Sequence, residues 1–154
     1  MPKTSPKLVT FRAAAALPAA GAWDAAPLVV FTEDSDDVAI YLSYTRGGAG
    51  GSVRIRIEVS PYSLDMPVVQ SWYYPSVKSV GAFAAGADVA SALQRESGIL
   101  YTATGAAIEN ALLGTVGLGR AAARIRVYAQ EVGNVGAPGT LHVVGSLGTF
   151  GLEA

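Results

Sequence analysis

Across residues 37–60, apolar and polar side chains change places at every step. Ile40, Leu42 and Tyr44 alternate with Tyr41, Ser43 and Thr45, and beyond Arg46-Gly-Gly-Ala-Gly-Gly, Val53, Ile55, Ile57 and Val59 alternate with Arg54, Arg56 and Glu58. A period of two is that of a strand buried on one side. The spacing predicts a long antiparallel β-hairpin. One of its faces lies on a core, and the other carries Tyr41, Arg54, Arg56 and Glu58 toward water or a partner. The glycine-dense turn supplies backbone freedom for the reversal.

The same pattern recurs in shorter pieces. Residues 28–32 form a continuous apolar run of strand length, 99–104 and 108–116 read as further strands, and 121–131 alternate Ala123, Ile125, Val127 and Ala129 with Arg124, Arg126, Tyr128 and Gln130. A glycine- and proline-containing loop at 132–139 then leads into a last strand at 140–147. Residues 68–74 place Trp72, Tyr73 and Tyr74 ahead of Pro75, whereas 81–86 are small and flexible and 88–96 alternate weakly. Many short strands between glycine and proline turns predict an all-β antiparallel sandwich over residues 27–154.

Residues 1–26 differ in composition. Pro2, Pro6 and Pro18 interrupt them, Lys3, Lys7 and Arg12 make them locally basic, and alanine dominates their second half. They read as an extended N-terminal arm in which Leu8, Val9 and Phe11 form a short strand, while residues 13–17 have the propensity for one helical turn that Pro18 and Gly21 would end. Such an arm has little of its own to fold around. Its natural role is to reach a neighbouring subunit, with Lys3, Lys7, Leu8, Phe11 and Arg12 as contact residues.

Composition sharpens this picture. At 154 residues the chain is long enough to bury a core without metal or disulfide staples, and it contains no cysteine. Hydrophobic residues make up 51% and charged ones only 15%, against roughly a quarter charged in ordinary soluble domains. That deficit points to surface covered by other protein. A net charge of -1 gives no nucleic-acid footprint. The longest apolar region, 13–31, is alanine-rich and broken by Pro18, Asp24 and Pro27, which makes it neither a membrane span nor the leucine-rich core of a secretory leader.

Candidate chemistry is sparse. Glu33, Asp34, Asp36 and Asp37 offer clustered oxygens but not EF-hand spacing, and read as a solvated turn. His142, the single histidine, alternates with Leu141 and Val143 on a strand and has no recognisable nucleophile setting beside it. Residues 114–119, Gly-Thr-Val-Gly-Leu-Gly, lack a Walker lysine and read as a turn, and Glu58, Glu96, Glu109 and Glu131 have no spacing that favours a glycosidase pair. No enzyme, cofactor or metal is expected. The arginines at i and i+2 in Val53-Arg-Ile-Arg-Ile and Ala123-Arg-Ile-Arg-Val either cover their sheet with aliphatic stems or meet carboxylates on a partner. Tyr62, Trp72 and Tyr73 form a candidate stacking platform for sugars.

The run Tyr44-Thr-Arg-Gly-Gly-Ala-Gly-Gly-Ser-Val, its continuation Glu58-Val-Ser-Pro-Tyr, and Ala129-Gln-Glu-Val-Gly-Asn-Val-Gly-Ala-Pro-Gly-Thr-Leu together resemble small β proteins among the virion genes of tailed phages. Within these the chain is similar to capsid decoration, or cement, proteins of phages of thermophilic bacteria. The resemblance covers most of residues 37–147 and rests on hairpin and turn patterns. It implies a jelly-roll-like sandwich, a homotrimer on the outer surface of the virion, an arm that clasps a neighbour, and the major capsid protein as partner. The expected function is to stabilise the shell by clamping adjacent capsid subunits, with Tyr41, Arg54 and Arg56 joining the arm residues in contact. The alternative is a carbohydrate- or receptor-binding module of a phage tail or baseplate that uses the aromatic platform.

Overall fold

The computed structural model describes residues 7–32, 35–67, 70–79, 98–105, 107–118 and 123–148. Lys3, Glu33, Asp34 and the stretches 81–86 and 88–96 lie outside the described residues. Among those described, the strands are β1 (Lys7–Ala16), β2 (Val29–Phe31), β3 (Asp37–Thr45), β4 (Ser52–Ser60), β5 (Lys78–Ser79), β6 (Ile99–Thr102), β7 (Glu109–Gly117), β8 (Arg124–Glu131) and β9 (Thr140–Gly148), with one 3-10 turn at Ala19–Gly21. They form two antiparallel sheets, ordered β1-β9-β3-β7-β5 and β2-β8-β4-β6, packed face to face as a β-sandwich.

Among the described residues, odd-numbered strands build one sheet and even-numbered strands the other, so each strand is followed by one in the opposite sheet. The pairs β1·β9, β2·β8, β3·β7 and β4·β6 are those of one long hairpin folded over on itself. This corrects the expected hairpin at residues 37–60, because β3 and β4 belong to different sheets and their apolar faces meet across the core. Val38, Ile40, Leu42 and Tyr44 face Val53, Ile55 and Ile57 in one buried cluster with Leu113, Ile125, Val127, Leu141 and Val143. Burying an aliphatic side chain of this size contributes about 1.5–3 kcal/mol. The connecting glycines span the gap of about 10 Å between packed sheets, a task for which a two-residue hairpin turn is too short.

Two of these crossings are held by one carboxylate. Glu131 is fully buried; its Oε1 accepts from the Tyr44 hydroxyl at 2.6 Å and the Gly139 N–H at 2.8 Å, and its Oε2 accepts from the N–H groups of Ser52 at 3.1 Å and Gly133 at 3.2 Å. Residues 46–51 and 132–139 are thereby fixed against each other at one end of the sandwich. The contact is close enough that a Cβ at Gly133 would overlap the Gly50 carbonyl oxygen.

Residues 7–24 belong to the sandwich, which corrects the separate arm expected over 1–26 for the part described. β1 runs along β9 from the Lys7–Leu147 pair to the Ala16–Thr140 pair, so residues 13–16 extend as strand instead of turning as helix. Pairing in a sheet outweighs the helix propensity of alanine. Phe11 has no exposed surface, because Gly145 on β9 leaves room for its ring exactly where a Cβ would overlap it. The Leu17 N–H donates to the Gly139 carbonyl, Trp23 bridges Gln130, and the Asp24 N–H donates to the Ala129 carbonyl. Residues 114–117, where the expected strand at 108–116 runs into the expected turn at 114–119, continue β7. Gly114 is required there because a Cβ would lie 2.6 Å from the Lys78 carbonyl oxygen.

Phe11→Ala is expected to destabilise the fold by about 3–5 kcal/mol, the cost of emptying an aromatic core site; denaturant unfolding measures it, and a loss under 1 kcal/mol would mean that β1 is loosely held. Burial and the bond to Glu131 both push the Tyr44 phenol above its ordinary value, and burial likewise raises Tyr74, Tyr101 and Tyr128. The unfolded chain therefore releases these protons first, so stability is constant with respect to them below about pH 9 and falls as pH rises past about 10. Tyr44→Phe is expected to flatten that alkaline decline while lowering stability at neutral pH, as measured by unfolding across pH 7–11.

Candidate partner-binding surface

The expected contact residues do not share a face. Tyr41 is exposed on the outer face of the β1-β9-β3-β7-β5 sheet, whereas Arg54 and Arg56 lie on the outer face of the other, on opposite sides of the molecule. Their expected adjacency depended on a hairpin that does not form. Phe11, expected to touch a partner, is core. Lys7 and Leu8 begin β1 and are exposed, Leu8 at 77%.

Arg12 is a structural residue as well. Its Nε and Nη2 donate to the Asp24 carboxylate at 3.0 and 3.2 Å, and its remaining donors reach the carbonyls of Leu141, Ala15 and Ala16. Asp24 also accepts from the Ala129 N–H on β8. The ion pair thus joins β1 and β9 of one sheet to β8 of the other and closes the lateral gap of the sandwich. Its side chains are 11% and 14% exposed, a burial at which removing one partner strands the other.

The outer face of the β2-β8-β4-β6 sheet is a layer of arginines and rings. The Arg56 guanidinium lies 4.4 Å from the Trp23 ring centre, and those of Arg126 and Arg124 lie 3.9 and 4.6 Å from that of Trp72. Arg126 donates to Glu58 at 2.6 Å, and Arg124 donates to Asp65 at 2.8 Å and to the Tyr62 carbonyl at 2.6 Å. The bond from Arg124 holds the exposed Asp65 carboxyl below its usual range. Glu58, an outward residue by strand period, is buried beneath this layer. Of the two arginine pairs, Arg124 and Arg126 therefore meet carboxylates of their own chain, and Arg56 meets a ring.

The aromatic platform is divided by the same geometry. Tyr73 pairs with Val59 through reciprocal backbone bonds of 2.8 and 2.9 Å. Trp72 and Tyr74 on either side of it point to the outer face, where Trp72 covers the two arginines and Tyr74 bonds Glu58. Tyr73 consequently points the other way. Tyr62 is half-buried, and its backbone serves as an acceptor for Arg124. His142 lies half-buried on the outer face of the other sheet, opposite Ser43. Among the described residues no group of three or more carboxylate or imidazole side chains is placed to hold a metal ion.

What the sequence pattern missed is an apolar flank. β1 and β2 are edge strands of their respective sheets and lie on the same side of the sandwich. Along that side Leu8 is joined by Leu28, Val29 and Phe31, which are 50%, 42% and 50% exposed, and by exposed alanines at 13–16 and 25–26. Between β1 and residues 24–28 is an open cleft of about 230 Å³ with Phe11 and Val127 in its wall. The continuous run at 28–32, expected as a strand, forms β2 over Val29–Phe31, and at a sheet edge its outward side chains remain uncovered. Edge strands that leave apolar side chains of this size exposed are suited to a protein contact.

Arg12→Leu is expected to cost about 3 kcal/mol by leaving Asp24 buried without its cation, and the double variant with Asp24→Leu should regain part of that loss. Denaturant unfolding of both would check it; additive costs would show that the two side chains do not act as a pair. Compared with known proteins, the chain matches no family model, no curated protein and no solved structure.

Proposed function

We propose that this is a structural virion protein that sits as a homo-oligomer on the outside of a tailed-phage capsid and clamps adjacent shell subunits. The observation that carries the reading is the exposure of Leu8, Leu28, Val29 and Phe31 along the edge strands, apolar surface suited to protein and lacking the charge expected of a nucleic-acid site. Two further features support it. The strand order is consistent with the expected jelly-roll-like sandwich, an architecture used by viral capsid domains among others. The turn patterns at residues 44–53 and 129–141 carry the resemblance to decoration proteins.

The mechanism is area burial combined with multivalency. A shell repeats the same surface many times, so an oligomer meets several copies at once. After the first contact, each further one is intramolecular, and a set of modest contacts becomes a slowly dissociating clamp. The carbohydrate-binding alternative has less support, because Trp72 covers Arg124 and Arg126 while Tyr73 points away from it.

Co-sedimentation with empty shells of the virion whose genome carries the gene tests this directly. Saturable binding is expected, weakened at least about tenfold by Phe31→Glu, which places a charge in the apolar contact. Phe31 is 50% exposed, so this variant should keep its fold. Absence of binding to the shells, together with tryptophan quenching by oligosaccharides, would overturn the reading in favour of the sugar-binding one.

A further inference from the structure

We propose that the open edge of β1 is a self-association site, on which a second copy of this chain adds its own β1 antiparallel across a twofold axis. The inference rests on the structural-protein reading for its biological setting but not for its geometry.

An edge strand presents a row of backbone donors and acceptors that only another strand satisfies in full, and proteins usually guard it by shortness, charge or proline. The other edges follow that rule, with three residues in β2, two in β5 and four in β6. β1 has ten residues and no internal proline, and its outer edge faces no strand among the described residues. Its pairing with β9 shifts register between Thr10 and Arg12 and again between Arg12 and Ala15. Those irregularities lie where Arg12 turns inward to Asp24, so the one charge in the middle of the strand is taken off the edge and neutralised.

Several features select a second copy as the occupant. The edge is nearly free of charge, so a charged partner finds little to pair with. A dyad through the middle of β1 would set Lys7 opposite Ala16 of the second copy and Leu8 opposite its Ala15, so no like charges meet. Ala13, Ala14, Ala15 and Ala16 are exposed and small, and they let a second backbone approach to the inter-strand spacing of about 4.8 Å. Each chain carries a net charge of only -1, which gives negligible repulsion between copies. An isologous contact also requires nothing that one chain does not already supply.

The absence of native cysteine allows a clean test on the full chain. Thr10→Cys and Ala13→Cys, which this dyad sets opposite each other, are combined in one chain, with Thr102→Cys on β6 as control, and exposed to a mild oxidant. A disulfide needs Cα atoms about 4.4–6.8 Å apart, so position 10 of one copy reaches position 13 of the other, while the two positions of one extended strand lie about 10 Å apart and do not bridge. The double variant is expected to form covalent dimer about tenfold faster than the control. Cross-linking no faster than the control overturns the proposal. A second arm keeps the edge free of cysteine: Leu8→Lys with Ala14→Lys charges two exposed positions and should convert the wild-type dimer to a monomer in light scattering, with unchanged circular dichroism. Wild-type protein that is monomeric at every concentration, or an oligomer that survives both lysines, also overturns it. A lysine-resistant trimer that still binds shells would sink the edge contact and leave the capsid reading standing. An edge dimer that never sediments with shells would do the reverse.

Discussion

The carboxylate of Glu131 is the constraint on which the two-layer arrangement depends. A sandwich whose described strands alternate between the two sheets needs its crossings pinned, since otherwise the sheets slide over each other on a non-directional apolar core. Glu131 supplies direction. It gathers the phenol of β3, an N–H at the start of β4 and two from the β8–β9 loop, so two separate crossings share one buried acceptor. A buried carboxylate with its oxygens filled is tolerated, but one deprived of a donor is costly, so the arrangement holds as a unit. The glycines at 47–51 and 133–139 belong to the same device, because side chains at several of them would collide with the facing loop.

At the side of the molecule Arg12 and Asp24 do comparable work with an ion pair. Glu131 fixes the end of the sandwich, and the pair fixes β1 against both sheets. Together they explain why a segment as alanine-rich as residues 13–16 lies in the sheet at all: its own side chains contribute little, and Phe11, Leu17 and Arg12 hold it in place.

The strands were legible in the sequence because alternation declares which side of each faces the core, and β3, β4, β8 and β9 follow it closely. Their partners were not, since a period of two carries no information about which sheet a strand joins. The polar outer residues of β3 and β4 therefore looked adjacent when the molecule separates Tyr41 from Arg54 and Arg56. Phe11 and Arg12 looked like contact residues because composition marked an arm. Only the distant Gly145 and Asp24 reveal them as a plug and a clamp. Glu131 looked like one solvated charge among several, and the apolar flank was hidden because an exposed edge and a doubly buried strand have the same local pattern. The two-sheet, all-antiparallel class followed from strand length and turn chemistry alone.

The strand order also sets a timetable. In its sheet β9 lies between β1 and β3, so β1 has no strand to join until residues 140–148 have left the ribosome. At roughly 5–20 residues per second, the first-made strand waits on the order of ten seconds for the last, with Phe11 uncovered in the meantime. Among the described residues no two consecutive strands are neighbours in a sheet, so none of them forms an early local hairpin to shelter it. When several ribosomes translate one message, that interval is the time in which a nascent chain can capture the β1 of another copy in place of its own.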